Sequence, residues 1–329
     1  LYDGEVAYTD AQLARLFGAM RRSGAYDRSL IVLLSDHGES LGEHGEDEHG
    51  FFVYNSTVHV PLLIKPPRGQ ATPRVVAHPV GTIDVAPTLL EMLRLRDPLS
   101  RQFQGTSLAS YVLGKTLPAD RPVYAETYYP SNSFGWAPLR SVTTRRLRYI
   151  EAPRPEIYDL ASDPQESRNL IDQRRAEAEA LRAQLQDIER RYTAQVAVAK
   201  GPPLPLETVE KLKALGYVAY SAPAAPTAAS GLADPKDRLK TFRAILRATD
   251  LASFGRFEES NALLTSAQAD EPKLYLIPFM LAENATHARR WAEAEKQFHI
   301  TLTLNSSFQQ AVMGLARTYI AQGKADQAR

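Results

Sequence analysis

Between residues 3 and 22, Val6, Leu13, Leu16, Phe17 and Met20 recur at helical spacing while Asp10, Gln12, Arg15 and Arg21 fall between them, and Ser23-Gly24 ends the pattern. This predicts an amphipathic helix. The following "SLIVLLSDHG" holds five continuous apolar residues, Leu30 to Leu34, the pattern of a strand buried on both faces in a parallel sheet covered by helices. A second apolar run, "VPLLIKPP", stops at Pro66-Pro67, and "TIDVAPTLLEMLRL" reads as a helix with Pro87 tolerable only near its first turn. Helices and strands in this rhythm form an α/β layer.

From about residue 120 the texture changes. "VYAETYY", "PLRSVTT", "LRYIEA" and "EIYDL" are short and rich in aromatic and β-branched residues, which predicts a small antiparallel sheet. A charged helix follows over residues 174–197, then "ETVEKLKALGY". The stretch "SAPAAPTAASGLADP", residues 221–235, has too little apolar bulk to pack and marks a linker.

Beyond it the chain repeats. "FGRFEESNALL", "ARRWAEAEKQF" and "GKADQA" align with Ser260, Ala294 and Ala328 equivalent, a step of 34 residues. Phe257 and Trp291 then share one register position, Leu264 and Phe298 another, and Ala248, Ala282 and Ala316 a third. Small residues where helices cross, with aromatics between, resemble the tetratricopeptide repeat.

Composition narrows the function classes. With 329 residues and 44% hydrophobic content the chain has material for two packed domains. The 39 basic and 38 acidic residues leave a net charge of +1, so no overall field calls for a nucleic acid or an anionic membrane. Without cysteine there is no disulfide, thiolate zinc site or cysteine nucleophile. No apolar run approaches the ~20 residues that span a bilayer. The chain starts at Leu1 inside a helical pattern and stops at Arg329 inside another, which reads as a fragment.

Local charge is another matter. "SDHGESLGEHGEDEHGFF", residues 35–52, holds three histidines and six carboxylates without a lysine or arginine. Polar residues just past an apolar strand of a parallel sheet occupy the edge where α/β enzymes bind ligands. Asp36 and His37 form an oxygen–nitrogen pair suited to a divalent metal, with His44 and His49 within one loop's reach. A bound dication would relieve repulsion that costs about 1 kcal/mol per pair of like charges 4 Å apart in water. An acidic glycine-containing loop is also the ordinary composition of a solvated surface.

The ordered motifs "YDGEVAYTDAQL", "SDHGESLGEHG", "VPLLIKPP", "IDVAPTLLEML" and "EIYDLASDPQESRNL" resemble sulfatases of the alkaline phosphatase superfamily over residues 1 to about 170. The resemblance implies an α/β fold class: a partial alkaline-phosphatase-like sandwich with a small C-terminal antiparallel subdomain in residues 1–216. A linker at 217–235 and an all-α tetratricopeptide-like helical repeat domain at 236–329 complete the expected organisation. It implies that Asp36 ligates the metal with His37 beside it, and that His49 is a ligand or contacts the transferred group, with a catalytic part as proton donor. Many calcium-dependent sulfatases carry asparagine at the position of His37, and imidazole suits zinc or manganese better, so calcium, zinc and manganese all remain open. "EHG" at 48–50 lies near the place of a sulfate-contacting lysine and also resembles the metal-binding histidine of phosphoethanolamine transferases. His44 suits a structural hydrogen bond as well as a site role.

The family nucleophile, a formylglycine, serine or threonine, would lie upstream of Leu1, so this stretch by itself is expected to be inactive. The expected function is metal-dependent hydrolysis of sulfate esters, with the repeats binding a protein partner. Phosphatase, phosphodiesterase or phosphoethanolamine transferase activity, and a non-catalytic repeat scaffold, are the alternatives. The family implies a periplasmic or membrane-anchored extracytoplasmic location. Lys65 reads as strand-capping rather than pocket-lining, and His59 and His78 as surface residues or local backbone partners. Tyr128, Tyr129, Phe134 and Trp136 fit either a substrate loop or a packed aromatic cluster.

Overall fold

The computed structural model describes residues 1–95, 102–115, 121–193 and 231–328. Helix α1 spans Tyr2–Arg22; of its apolar positions Leu13, Phe17 and Met20 are half-buried, while Val6 and Leu16 are each 54% exposed. Strand β1, Ile31–Leu34, pairs antiparallel with β2, Leu62–Lys65, with Val32 opposite Ile64. The parallel-sheet expectation for Leu30–Leu34 is therefore corrected. An uninterrupted apolar run encodes burial but carries no strand direction, and even the burial is partial, Leu34 being 39% exposed. Lys65 donates to the Tyr26 carbonyl and to the Ser29 carbonyl at 3.1 Å, which fixes it at the strand end. Helix α2, Val85–Met92, has Pro87 in its first turn as expected.

The antiparallel sheet is the wall on which the rest is built. Strands β3, Val123–Thr127, β4, Leu139–Thr143, β5, Leu147–Glu151, and β6, Glu156–Asp159, pair in chain order. Because side chains alternate along a strand, the sheet serves two clients. Val142, Tyr149 and Ile157 pack against Ala178, Leu181 and Leu185 of helix α4, Arg175–Thr193. Leu139, Ile150 and Tyr158 point the other way, onto a cluster containing Phe51 to Tyr54. The sequence placed α4 at 174–197, and its last expected residues, 194–197, lie outside the described residues.

The helix α3, Tyr129–Phe134, replaces the loop expected between β3 and β4. Phe134 and Trp136 are buried and stacked at 4.5 Å, so of the two readings this pair forms the packed cluster.

The C-terminal region consists of α5, Leu239–Ser253, α6, Phe257–Asp270, α7, Leu276–His287, α8, Trp291–Leu304, and α9, Gln309–Ala321. Phe257 and Trp291, 34 residues apart, each open the second helix of a pair. Ala248 and Ala282, Ser260 and Ala294, and Leu264 and Phe298 are all fully buried, so the register read from the sequence marks equivalent packing positions in the first two repeats, whereas Ala316 and Ala328 of the third are half-buried. Ser260 donates to the Ala248 carbonyl at 2.8 Å, and Asn284 donates to the Ser260 hydroxyl at 2.9 Å, linking one pair to the next. The proposed linker, 217–235, lies outside the described residues as far as residue 230. Among the described residues no helix is long and apolar enough to cross a membrane.

Candidate functional site

The loop after β1 carries the candidate residues. Gly38 donates its N–H to the Thr57 carbonyl at 2.8 Å, and a Cβ at Gly38 would sit 2.1 Å from the Ser56 carbonyl oxygen. Only glycine fits so close an approach. The contact folds the loop back onto the Asn55–Val58 turn and fixes where His37 emerges.

His37 and His49 lie side by side, their rings stacked with centroids 3.7 Å apart. The Nδ1 of His37 is 2.8 Å from the Gly38 carbonyl, an acceptor only, so Nδ1 carries the proton and Nε2 is left toward Asp36 Oδ2 at 3.7 Å. His49 Nδ1 sits 3.2 Å from both carboxylate oxygens of Glu39. Asp36 is largely exposed, and the His37 backbone N–H at 3.0 Å holds its carboxyl below the usual carboxylate range. Three of the expected site residues, Asp36, His37 and His49, thus form one cluster.

Glu39 is the member the sequence reading missed as a partner. It lies ten residues before His49, a spacing that no local rule connects. Orienting an imidazole through its far nitrogen is what metal-ligating histidines require. The donor chemistry of Asp36 and His37 fits a shared divalent cation. Among the described residues, however, no group of three such side chains closes around one point.

His44 is turned to structural use. Its Nε2 lies 3.1 Å from the Gln165 carbonyl and its ring stacks on Tyr54 at 3.6 Å, with the backbone held at φ +52°.

Glu46 is equally detached from the cluster. It is 1% exposed and accepts the backbone N–H of Phe51 at 2.7 Å and of Phe52 at 3.3 Å. Burial pushes its carboxyl up to about 7, against the pull of those two N–H groups. A carboxyl raised on folding stabilises the fold fully below its unfolded pKa, near 4.5, and loses that contribution as pH rises through its folded pKa. Stability is therefore expected to fall by about 2–3 kcal/mol between pH 4.5 and 7.5 from this group. Glu46→Gln keeps the accepting oxygen and removes the ionisation, so denaturant titrations of the two proteins at several pH values should show the variant losing about 2–3 kcal/mol less over this range.

Residues 1–95 match the sulfatase family model. Among curated relatives, the chain is 28% identical over 179 residues to arylsulfatase K of Gallus gallus, covering 51% of this chain and 32% of that protein. It is 31% identical over 177 residues to a choline-sulfatase of Rhizobium meliloti (strain 1021), covering 52% and 32%. The chain spans about a third of the length of these relatives. A solved structure of a protein in complex with its substrate D-glucosamine-2-N,6-O-disulfate aligns at a TM-score of 0.48 with 26% identity, covering 60% of this chain and 41% of that one. The match at 1–95 includes the whole histidine loop.

Proposed function

We propose that this chain is part of a metal-dependent hydrolase of sulfate esters whose metal and substrate contacts lie in the loop after β1. The observation that carries the reading is the convergence of His37 and His49, 3.7 Å apart and each held through Nδ1, inside the segment matching the sulfatase model. Asp36 and His37 would hold the cation. A divalent metal there would polarise the oxygens of the bound ester.

His49 contacts the transferred group or delivers a proton to the departing oxygen from Nε2, with Glu39 keeping its ring in register. Residues 1–216 are the catalytic part and 236–329 a tetratricopeptide-like module that binds a protein partner. The 34-residue equivalence of buried positions supports that second assignment. An extracytoplasmic setting follows from the same family reading.

A phosphate ester is the second substrate reading. It is favoured by two imidazoles standing where the resemblance places asparagine and lysine. Metal content and hydrolysis of an aryl sulfate and an aryl phosphate, measured on the complete protein that carries this sequence, test both. Asp36→Ala is expected to lose stoichiometric metal and to lower turnover by more than about 100-fold, beyond the effect of removing an outer-shell partner. Retention of metal and rate in that variant would remove the proposal, and a preference for the phosphate would select the second reading.

A further inference from the structure

Helix α5 is joined to the candidate site more closely than a separately tethered binding module requires. Its approach begins at the segment before it. Ala137 donates its N–H to the Ala233 carbonyl at 2.9 Å, and Asp234 accepts the Arg154 N–H at 3.0 Å. Lys236 meets Glu156 at 3.1 Å, and Arg154 meets Asp237 at 2.7 Å. These bonds seat the start of the helical region on the β5–β6 end of the sheet.

From that base α5 reaches the histidine loop. Phe242, 1% exposed, stacks on Phe51 at 4.0 Å with an interplanar angle of 13°. Tyr129 and Phe134 stand edge-on to Phe242 at 5.9 and 5.8 Å. Arg243 pairs with Asp47 at 3.3 Å. A Cβ at Gly45, where φ is +83°, would lie 3.0 Å from the Leu239 side chain. Three consecutive stretches of one loop, at 45, 47 and 51, are thus touched by three residues within five positions of one helix. His49 lies between them.

We propose that α5 is a built-in brace of the candidate site, with Phe242 a positioning residue for His49. Its relevance to turnover rests on the hydrolase reading, whereas the brace itself does not. The stack removes Phe51 from solvent and fixes the backbone two residues from His49, so the imidazole keeps its place beside His37. A partner that bends or displaces the first helix of the repeat region would move His49 with it.

Backbone hydrogen exchange of the complete protein, followed by mass spectrometry, tests this together with carbethoxylation of individual histidines. Phe242→Ala should speed exchange in residues 45–54 by about tenfold or more and raise modification of His49 several-fold. Exchange in α7 and α8 and modification of exposed His299 should stay as in the parent. Phe242→Tyr, which retains the ring, should restore most of the protection. If Phe242→Ala does not fold, Leu239→Ala and Arg243→Glu carry the test, each raising loop exchange by a smaller factor. Unchanged exchange at 45–54 in folded variants, or equal acceleration across α7 and α8, would overturn the brace. Neither measurement requires turnover, so an inactive protein with the expected protection pattern refutes the hydrolase reading alone.

Discussion

Arg148→Met is expected to destabilise the fold by about 3–5 kcal/mol at neutral pH, the cost of leaving one member of a buried ion pair alone. Arg148 and Glu166 are 4% and 1% exposed and meet at 2.9 Å. Arg148 also donates to Thr143 at 2.9 Å, and Glu166 accepts the Asn55 N–H at 2.6 Å, so the pair ties β5 to the turn that backs the histidine loop. Burial already raises the Glu166 carboxyl, with the Arg148 charge pulling it down. Without that charge the carboxyl rises further and takes up a proton, so the variant's deficit should shrink as pH falls. Urea titrations at pH 7 and 5.5 measure both. A loss under ~1 kcal/mol at pH 7 would mean that water reaches the pair.

Phe51→Ala should cost a similar amount, about 3–5 kcal/mol, through the cavity it leaves. Phe51 is fully buried, 4.8 Å from Phe52 and 6.0 Å from Trp136 by ring centroids, besides its stack on Phe242. It joins the sheet's aromatic face to the helical region in a single cluster. Its removal is therefore also expected to split thermal unfolding into two transitions, which calorimetry resolves. One cooperative transition with less than ~1 kcal/mol of loss would show that the two regions share no essential contact at this point.

What the sequence made legible was local and periodic. Helix α1, the four strands from Val123 to Asp159 and the 34-residue step between Phe257 and Trp291 each follow from spacing within one element or one repeat. The direction of β1 did not follow, because Ile31 to Leu34 are apolar whichever way the neighbouring strand runs.

Within the acidic loop, composition treats Asp36, Glu39 and Glu46 alike. The fold makes them an exposed carboxylate, a histidine partner and a buried cap. That division depends on the loop's turn back over Gly38 and on the hydrophobic bulk of Phe51 and Phe52, neither of which a charge count registers. The contact between Phe51 and Phe242 joins residues 191 positions apart, beyond any pattern a single chain displays.

The alternation in β5 carries a consequence for how the chain can change length. Tyr149 faces α4 while its neighbours Arg148 and Ile150 face the aromatic loop, across the short reversal at Thr144 to Arg146. Adding one residue within β5, just after Leu147, would turn every following side chain to the opposite face, delivering a guanidinium to leucines and a phenol to Glu166. Two added residues would keep every side chain with its present neighbours' side of the wall. Viable relatives should therefore differ within this strand by even increments, or else carry a bulge that absorbs the odd one.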